Sequence, residues 1–129
     1  MTKYNYSVGK RKTASAQVKL FEWNWENTVN GKKINEYISR SDLFDYVYLP
    51  LKITKTMTKV YFDVKVSWSW ISSQAQAIRH WLSKALVLKD SGLRWILKKS
   101  WLLTRDARIV ERKKPWKHKA RKSIQWSKR

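Results

Sequence analysis

The chain has 129 residues and a formal charge of +20 at pH 7, from 29 lysines and arginines against nine acidic residues. A compact body with that charge repels itself, so a polyanionic partner is expected. The chain has no cysteine, which excludes a disulfide framework, a thiolate zinc site and a cysteine nucleophile. The length predicts one domain with a short extension.

The apolar segments are short. None approaches the roughly 18 apolar residues that a transmembrane helix needs, and residues 1–9 lack the apolar stretch of a signal peptide. We therefore expect no membrane partner. The protein is expected to act where it is made, in the cytoplasm, with an organelle matrix as the second choice.

The first half of the chain predicts strands followed by helices. Residues 4–8 and 14–20 alternate apolar with polar side chains, so they are expected to form two strands joined by a basic turn. Residues 28–32 (TVNGK) read as the end of a short strand with an Asn-Gly turn. Residues 34–48 predict two short helices, the second capped by Ser41 or Asp42 and stopped by Pro50.

The second half begins with the cleanest strand pattern in the chain, the alternation over residues 60–66. Ser72 or Ser73 can then cap a helix in which apolar residues recur at helical spacing as far as Leu86. Residues 90–92 are expected to end this helix. One more short helix is expected within residues 92–103.

The C-terminal segment differs in character from the rest. From Lys98 onward, 13 basic residues stand against two acidic ones, and from Lys113 the apolar residues are too few for a core. Such a tail is expected to be disordered alone and to order along phosphates as an extended arm; a tail without a role is the alternative. The sequence thus predicts an α+β fold, a two-layer sandwich over residues 1–104, followed by a basic tail over residues 105–129.

Catalytic groups are scarce. His80 and His118 are the only histidines and are far apart in the sequence, whereas a catalytic or metal site needs convergent groups. Neither a phosphate-binding loop nor a nucleophile elbow motif is present. We therefore expect neither an enzyme nor a metal or other cofactor.

Several motifs together resemble one known family. Residues 74–80 (QAQAIRH) resemble the signature helix of the family of small-subunit ribosomal protein nine. Residues 9–14 resemble the basic turn of this family, and residues 28–32 resemble its hairpin. Residues 103–108 and 111–114 resemble its tail entry, and residues 125–129 resemble its terminal Gln-Phe-Ser-Lys-Arg. The motifs follow one another in the order that the family has. Each motif is weak alone, but the ordered set is specific and covers essentially the whole chain.

The resemblance implies a structural, RNA-binding role. It implies a mixed β-sheet backed by helices, with a left-handed βαβ crossover. It also implies that the body lies on 16S-type ribosomal RNA in the head of the small subunit, beside other head proteins. The last residues of the tail are implied to contact P-site tRNA. The implied tRNA contacts are Ser127, Lys128 and Arg129. The implied ribosomal RNA contacts, with the tail cations that extend them, are Lys10, Arg11, Lys12, Arg79, Arg105, Arg108, Arg112, Lys113, Lys114, Lys119, Arg121 and Lys122.

Tryptophan marks where the chain departs from the family. There are nine tryptophans and three glycines, whereas average usage predicts about nine glycines. Either these tryptophans stack on RNA bases, or they are encoded by UGA in a lineage that reads UGA as glycine; we favour the second. Trp126 replaces a phenylalanine and is expected to be genuine, and Trp95 is ambiguous. Tryptophan stands at family glycine positions at Trp23, Trp25, Trp68, Trp70, Trp81, Trp101 and Trp116.

Two other classes of protein remain as alternatives. A cationic, tryptophan-rich chain is also typical of proteins that act at anionic membranes, although the strand pattern of residues 60–66 argues against one long amphipathic helix. A generic RNA chaperone would bind any RNA equally. Competition between ribosomal and scrambled RNA at one salt concentration separates the chaperone from a ribosomal protein.

Overall fold

The computed structural model describes residues 4–22 and 26–128 of the chain. Within these residues, strands and short helices come first, then a strand, a long helix and a short helix, and the segment after residue 103 is largely irregular. The elements are β1 (Asn5–Arg11), β2 (Ala14–Phe21), β3 (Thr28–Val29), β4 (Lys32–Lys33), α1 (Ile34–Tyr37), α2 (Ser41–Thr54), β5 (Tyr61–Ser67), α3 (Ile71–Lys89), a 3-10 turn (Ser91–Leu93) and α4 (Arg94–Lys99).

In the described part of the chain, the five strands form one mixed sheet in the order β1-β2-β5-β3-β4. The β1–β2 and β2–β5 pairs are antiparallel, while β3 runs parallel to β5. The connection between the parallel strands contains α1 and α2, as parallel pairs require a crossover. This confirms the α+β class and the mixed sheet backed by helices. The left-handedness of the crossover stays a prediction.

The core lies between one face of the sheet and α3. The alternation of β2 and β5 turns Val18, Leu20, Phe62 and Val64 to this face, where all four are buried. They pack against the apolar stripe of α3, which includes the fully buried Leu82. The alternation predicted for the strands therefore corresponds to the sheet side of the core, and the helical spacing corresponds to its α3 side.

The prediction that Pro50 stops the second helix was wrong. α2 continues through Pro50 to Thr54 and ends at Lys55, which adopts a left-handed conformation with φ 54°. Proline removes one helical N–H, but Pro50 and Leu51 are both buried. Burial of the helix face beyond the proline outweighs the missing hydrogen bond.

The predicted helix caps were also wrong in detail. α2 begins at Ser41 with Arg40 as its N-cap, and α3 begins at Ile71 with Trp70 as its N-cap; neither has a side-chain cap hydrogen bond. The loop before α3 is held instead by Gln74, whose side-chain amide donates to the carbonyls of Trp68 and Ser69 at 3.2 Å each. The start of α3 is thus fixed from inside the helix.

The last helical region confirms the predicted short helix within residues 92–103. α4 contributes the fully buried Leu97 to the core, and the buried Leu102 follows it. From residue 103 to residue 128 the structure has neither a helix nor a ladder strand, only an isolated antiparallel bridge between Lys117 and Ser123. The division into a body over residues 1–104 and a tail over residues 105–129 stays a prediction. None of the helices in the described ranges has the length and hydropathy to span a membrane.

Candidate nucleic-acid interface

The face of the sheet opposite α3, which we call the open sheet face, carries aromatic side chains. Phe21 and Tyr61 stack with ring centroids 4.7 Å apart, and Tyr4 lies 5.8 Å from Phe21. Tyr4 and Tyr6 are both about half exposed. Exposed aromatic rings on a sheet provide flat surfaces on which bases stack.

Lysine side chains lie beside these rings on the open sheet face. The strand register places Tyr6 opposite Lys19 and Lys19 opposite Asp63 on the open sheet face. Lys65 on β5 lies opposite Gln17 on the same face. Lys10 on β1 lies opposite Ser15, which is also on this face. The Lys19 ammonium lies 5.2 Å from the centroid of the Tyr4 ring. Three lysines against one carboxylate give this face a positive charge that suits a phosphate backbone.

Of the residues on this face, only Lys10 was predicted from the sequence as an RNA contact. The signal was present in the alternation of β2 and β5, since Lys19 and Lys65 fall on the same phase as Phe21 and Tyr61. The alternation alone does not say which strands are neighbours, so the residues could not be grouped before the β1-β2-β5 order was known.

The basic turn between β1 and β2 separates its three cations. Lys10 and Lys12 are exposed, and Lys12 forms the turn with φ 50°. The Arg11 side chain is only 11% exposed and lies 3.2 Å from the Asp106 carboxylate. The structure therefore leaves Lys10 and Lys12 accessible to phosphate, while Arg11 is held within the protein.

Arg11 connects three parts of the molecule. Its Nε donates to the Gln76 side-chain oxygen at 2.7 Å, and one terminal nitrogen donates to the Arg108 carbonyl at 2.6 Å. Gln76 lies on α3, whereas Asp106 and Arg108 lie just beyond the last helix. Arg11 therefore attaches the start of the basic tail to the body.

Arg79 is also partly used by the fold. Its guanidinium carbon lies 3.9 Å from the centroid of the Tyr46 ring, which joins α3 to α2. Burial lowers the pKa of Arg79 below its usual value, yet arginine stays charged in proteins. Its Nε is buried and finds no partner within the described residues. Arg79 thus presents only part of its guanidinium to a ligand.

His80 holds the segment that leads into the tail. Its Nε2 lies 3.1 Å from the Leu103 carbonyl. Burial lowers the pKa of His80, and the nearby cations Lys84, Arg79 and Arg105 lower it further against an opposing effect of the Leu103 hydrogen bond. His80 is therefore neutral at pH 7 and contributes to the position of the tail rather than to catalysis.

Beside His80 an open groove of about 730 Å³ runs between β1, α3 and the tail entry. Tyr6 and Val8 line one side, and Lys84 and Arg105 also border the groove. The groove extends from the edge of the open sheet face to the start of the basic tail. It therefore connects the positive surface of the sheet with the positive surface of the tail.

Two carboxylates fold back parts of the tail. Hydrogen bonds from Arg108 hold the pKa of Asp106 well below its usual range. Glu111 pairs with Lys114 and with Arg121, the latter at 2.9 Å. Among the described tail residues, the predicted ribosomal RNA contacts that are exposed and have no acidic partner are Arg105, Arg112, Lys113, Lys119 and Lys122.

The end of the tail is only partly described. Ser127 and Lys128 are exposed. Arg129, the third predicted tRNA contact, lies outside the described residues, as do Trp23 and Trp25. Groups of three or more histidine, aspartate or glutamate side chains suited to a metal ion are not found in the described ranges.

Comparison with known proteins identifies the family. The family model described as ribosomal protein S9/S16 matches residues 9–129. A protein of Maridesulfovibrio salexigens is 48% identical over 128 residues, which cover 98% of this chain and 97% of the relative. One of Nitratiruptor is 46% identical over 125 residues, covering 96% and 97%, and one of Desulfovibrio desulfuricans is 41% identical over 127 residues, covering 98% of each.

All three relatives are described as small ribosomal subunit protein uS9. The match extends from the basic turn to the end of the tail, so it covers the whole tail and the part of the open sheet face from Lys10 onward. It confirms the resemblance seen in the sequence and the prediction that the chain is not an enzyme. The chain belongs to the ribosomal protein S9/S16 family.

Proposed function

We propose that this protein is a structural component of the small ribosomal subunit that binds 16S-type ribosomal RNA. Lys10, Lys12 and the exposed cations of the tail contact phosphates, and the open sheet face provides a second contact with stacked bases. The protein acts on the ribosome in the cytoplasm and neighbours other proteins of the subunit head. The observation that carries the proposal is the continuous, largely unpaired positive charge from the basic turn along the tail.

Two features favour RNA over other polyanions. The open sheet face combines half-exposed aromatic rings with lysines, which suits single-stranded bases and their phosphates together. The tail has an irregular backbone and mostly exposed side chains, and an arm of this kind can follow a folded RNA surface. A membrane-active protein would need an amphipathic helix of high charge, and the tail contains no helix among its described residues.

The salt dependence of RNA binding tests the proposal. Deleting residues 113–129 removes eight lysines and arginines. The plot of log affinity against log salt should become flatter, by about 0.7 to 0.9 for each phosphate contact that is lost. A filter-binding titration of ribosomal RNA at several salt concentrations, with scrambled RNA as competitor, measures this slope. An unchanged slope contradicts the phosphate role of the tail, and equal binding of both RNAs supports the chaperone alternative.

A matched pair of substitutions makes the same test without a deletion. Lys119→Gln with Lys122→Gln neutralises two exposed tail cations that have no acidic partner in the described structure, and it should reduce the slope by about the value expected for two contacts. Lys52→Gln removes a body cation that is paired with Asp45 at 2.6 Å. The slope of this control should match that of the unsubstituted chain.

We further propose that the tip of the tail, Ser127, Lys128 and Arg129, contacts P-site tRNA. The proposal is supported by the family and by the exposure of Ser127 and Lys128. Removing these three residues should leave subunit assembly nearly intact but weaken retention of P-site tRNA, since two charge-assisted contacts are lost. Sucrose-gradient profiles and tRNA release from purified subunits measure the two effects. Failed assembly would contradict this division between body and tip.

A further inference from the structure

We infer that the protein as made in the cell carries glycine where the sequence has Trp68, Trp101 and Trp116, because the codons written as tryptophan at these positions are decoded as glycine. The inference rests on backbone geometry and is independent of the proposed RNA contacts. It decides between the two interpretations of the tryptophan excess, glycine decoding and base stacking.

The three tryptophans adopt left-handed backbone conformations. Their φ angles are 65° at Trp68, 57° at Trp101 and 62° at Trp116. A bulky residue at positive φ is a genuine outlier, because its Cβ crowds the backbone, whereas glycine has no Cβ and adopts the conformation freely. Three such outliers of one residue type in a single small chain need a common explanation.

Trp101 occupies the position after the C-cap of α4, where glycine commonly ends a helix. The Trp101 N–H donates to the Lys98 carbonyl at 3.0 Å, and the Leu102 N–H donates to the Leu97 carbonyl at 3.1 Å. This is the pair of hydrogen bonds of a Schellman motif, and the buried Leu97 and Leu102 supply its apolar contact. The left-handed residue of that motif is usually glycine.

Trp116 occupies the position where a type II turn requires positive φ. The Lys117 N–H donates to the Lys114 carbonyl at 3.3 Å and closes a four-residue turn. Pro115 is its second residue and Trp116, at positive φ, its third. Proline followed by glycine is the preferred pair at these two positions.

Trp68 begins a pair of left-handed residues. Ser69, which follows it, has φ 71°, and the carbonyls of both accept hydrogen bonds from Gln74. Two consecutive positive φ angles reverse the chain between β5 and α3. Glycine and asparagine dominate at such positions.

In the described part of the chain, burial does not offset the strain at these indoles. Trp68 is 76% exposed, Trp101 77% and Trp116 88%, so burial of the indole contributes little. By contrast, Trp95 lies within α4 with an ordinary helical backbone, although it is similarly exposed. The left-handed geometry therefore belongs to particular positions and does not accompany every exposed tryptophan.

Trp70 and Trp81 do not carry the inference. Trp70 has an extended backbone, with φ −75°. Trp81 is fully buried, but its indole N–H has no partner within the described residues. A Cβ placed on Gly9 would lie 2.7 Å from the Trp81 Cβ and 2.8 Å from the Ala77 carbonyl oxygen, so the close approach of α3 to β1 requires glycine at position 9. The structure accommodates the Trp81 ring in the core.

Mass spectrometry of the protein from native ribosomes tests the inference directly. Tryptic peptides of residues 66–79 and 100–105 contain Trp68 and Trp101, and the intact mass includes residue 116. We expect glycine masses at all three positions. The peptide of residues 123–128 should keep the mass of Trp126 and shows that a tryptophan peptide is recovered. Tryptophan masses at residues 68 and 101 would overturn the inference.

A stability comparison tests the geometric argument separately. In the full-length recombinant chain, Trp101→Gly should melt at a temperature roughly 4 °C or more above Trp101→Ala, because alanine keeps a Cβ at positive φ. Trp68→Gly should likewise exceed Trp68→Ala. At Trp95, inside a helix, the order should reverse. Equal melting temperatures of the glycine and alanine variants at residues 68 and 101 would overturn the geometric argument.

Discussion

The body and the tail use the same basic residue types differently. In the body, Arg11 is almost buried against Asp106, and Arg79 stacks on Tyr46; both fix the positions of other elements. In the tail, Arg112 and Lys113 project into solvent without acidic partners in the described structure. A count of charges therefore overstates the number of cations available to RNA, and their accessibility is decided by what lies beside each one.

The two regions also differ in what stabilises them. Phe62 and Leu82 are fully buried in the body, and the rest of the core is at most 7% exposed. The apolar residues of the tail are not buried: Ile109 is 64% exposed and Val110 87%. Burial of apolar surface is the main favourable contribution to folding. We therefore expect the free energy of folding to come mainly from the body, and the tail to order along a partner.

The largest expected effect tests this separation. Phe62→Ala removes a fully buried ring between the sheet and the helices and should lower the free energy of unfolding by about 3 to 5 kcal/mol. Ile124→Ala, at a half-exposed tail position, should change it by less than about 0.5 kcal/mol. Urea unfolding followed by circular dichroism measures both. Comparable losses in the two variants would mean that the tail packs as part of the body.

The second effect concerns the link between the regions. Arg11→Ala removes hydrogen bonds to Gln76 and Arg108 and the ion pair with Asp106, so it should lower the free energy of unfolding by about 1 to 3 kcal/mol. It should also speed tryptic cleavage at Arg105 and Arg108, since the tail entry is released.

Lys12→Ala is the matched control in the same turn. Lys12 is exposed, so its loss should leave stability and cleavage unchanged while weakening RNA binding. If Arg11→Ala weakens RNA binding without a change in stability, Arg11 is a direct RNA contact and the anchoring role assigned to it here is wrong.

The fold could be predicted where the pattern is local. Alternation in β2 and β5 and the helical spacing in α3 reflect which side chains face the core, so the sequence carries them directly. The helix boundaries were less predictable. The continuation of α2 past Pro50 depends on tertiary burial of Leu51, which no local pattern reveals.

The sequence was sufficient to predict an RNA-binding surface, but not the role of each residue in it. The tail charge and the family motifs predicted the proposed contacts of the tail and of the basic turn, but on the open sheet face they predicted only Lys10. The internal role of Arg11 depends on Arg108, 97 residues away along the chain, and the open sheet face depends on strand order. Both depend on contacts between residues that are far apart in the sequence, and local sequence patterns do not show such contacts.

The smallest expected effect concerns pH at the junction of body and tail. Burial lowers the pKa of His80, and Lys84, Arg79 and Arg105 disfavour the imidazolium further. The unfolded chain binds a proton at this residue near its ordinary pKa of about 6.5, while the folded chain resists it. Stability from this residue is therefore complete above about pH 6.5 and is lost as the pH falls from there toward the lower pKa of the folded state.

Substitution of each histidine isolates this contribution. His80→Gln cannot titrate, and its amide can still donate to the Leu103 carbonyl. Between pH 7.5 and pH 5 the unsubstituted chain should lose more unfolding free energy than His80→Gln, as measured by urea unfolding at each pH. His118→Gln, at an exposed position, should follow the unsubstituted chain, because the carboxylates titrate alike in all three proteins. Parallel curves for His80→Gln and the unsubstituted chain would mean that His80 is solvated in both states, and that Leu103 and the tail entry are held by Arg11 alone.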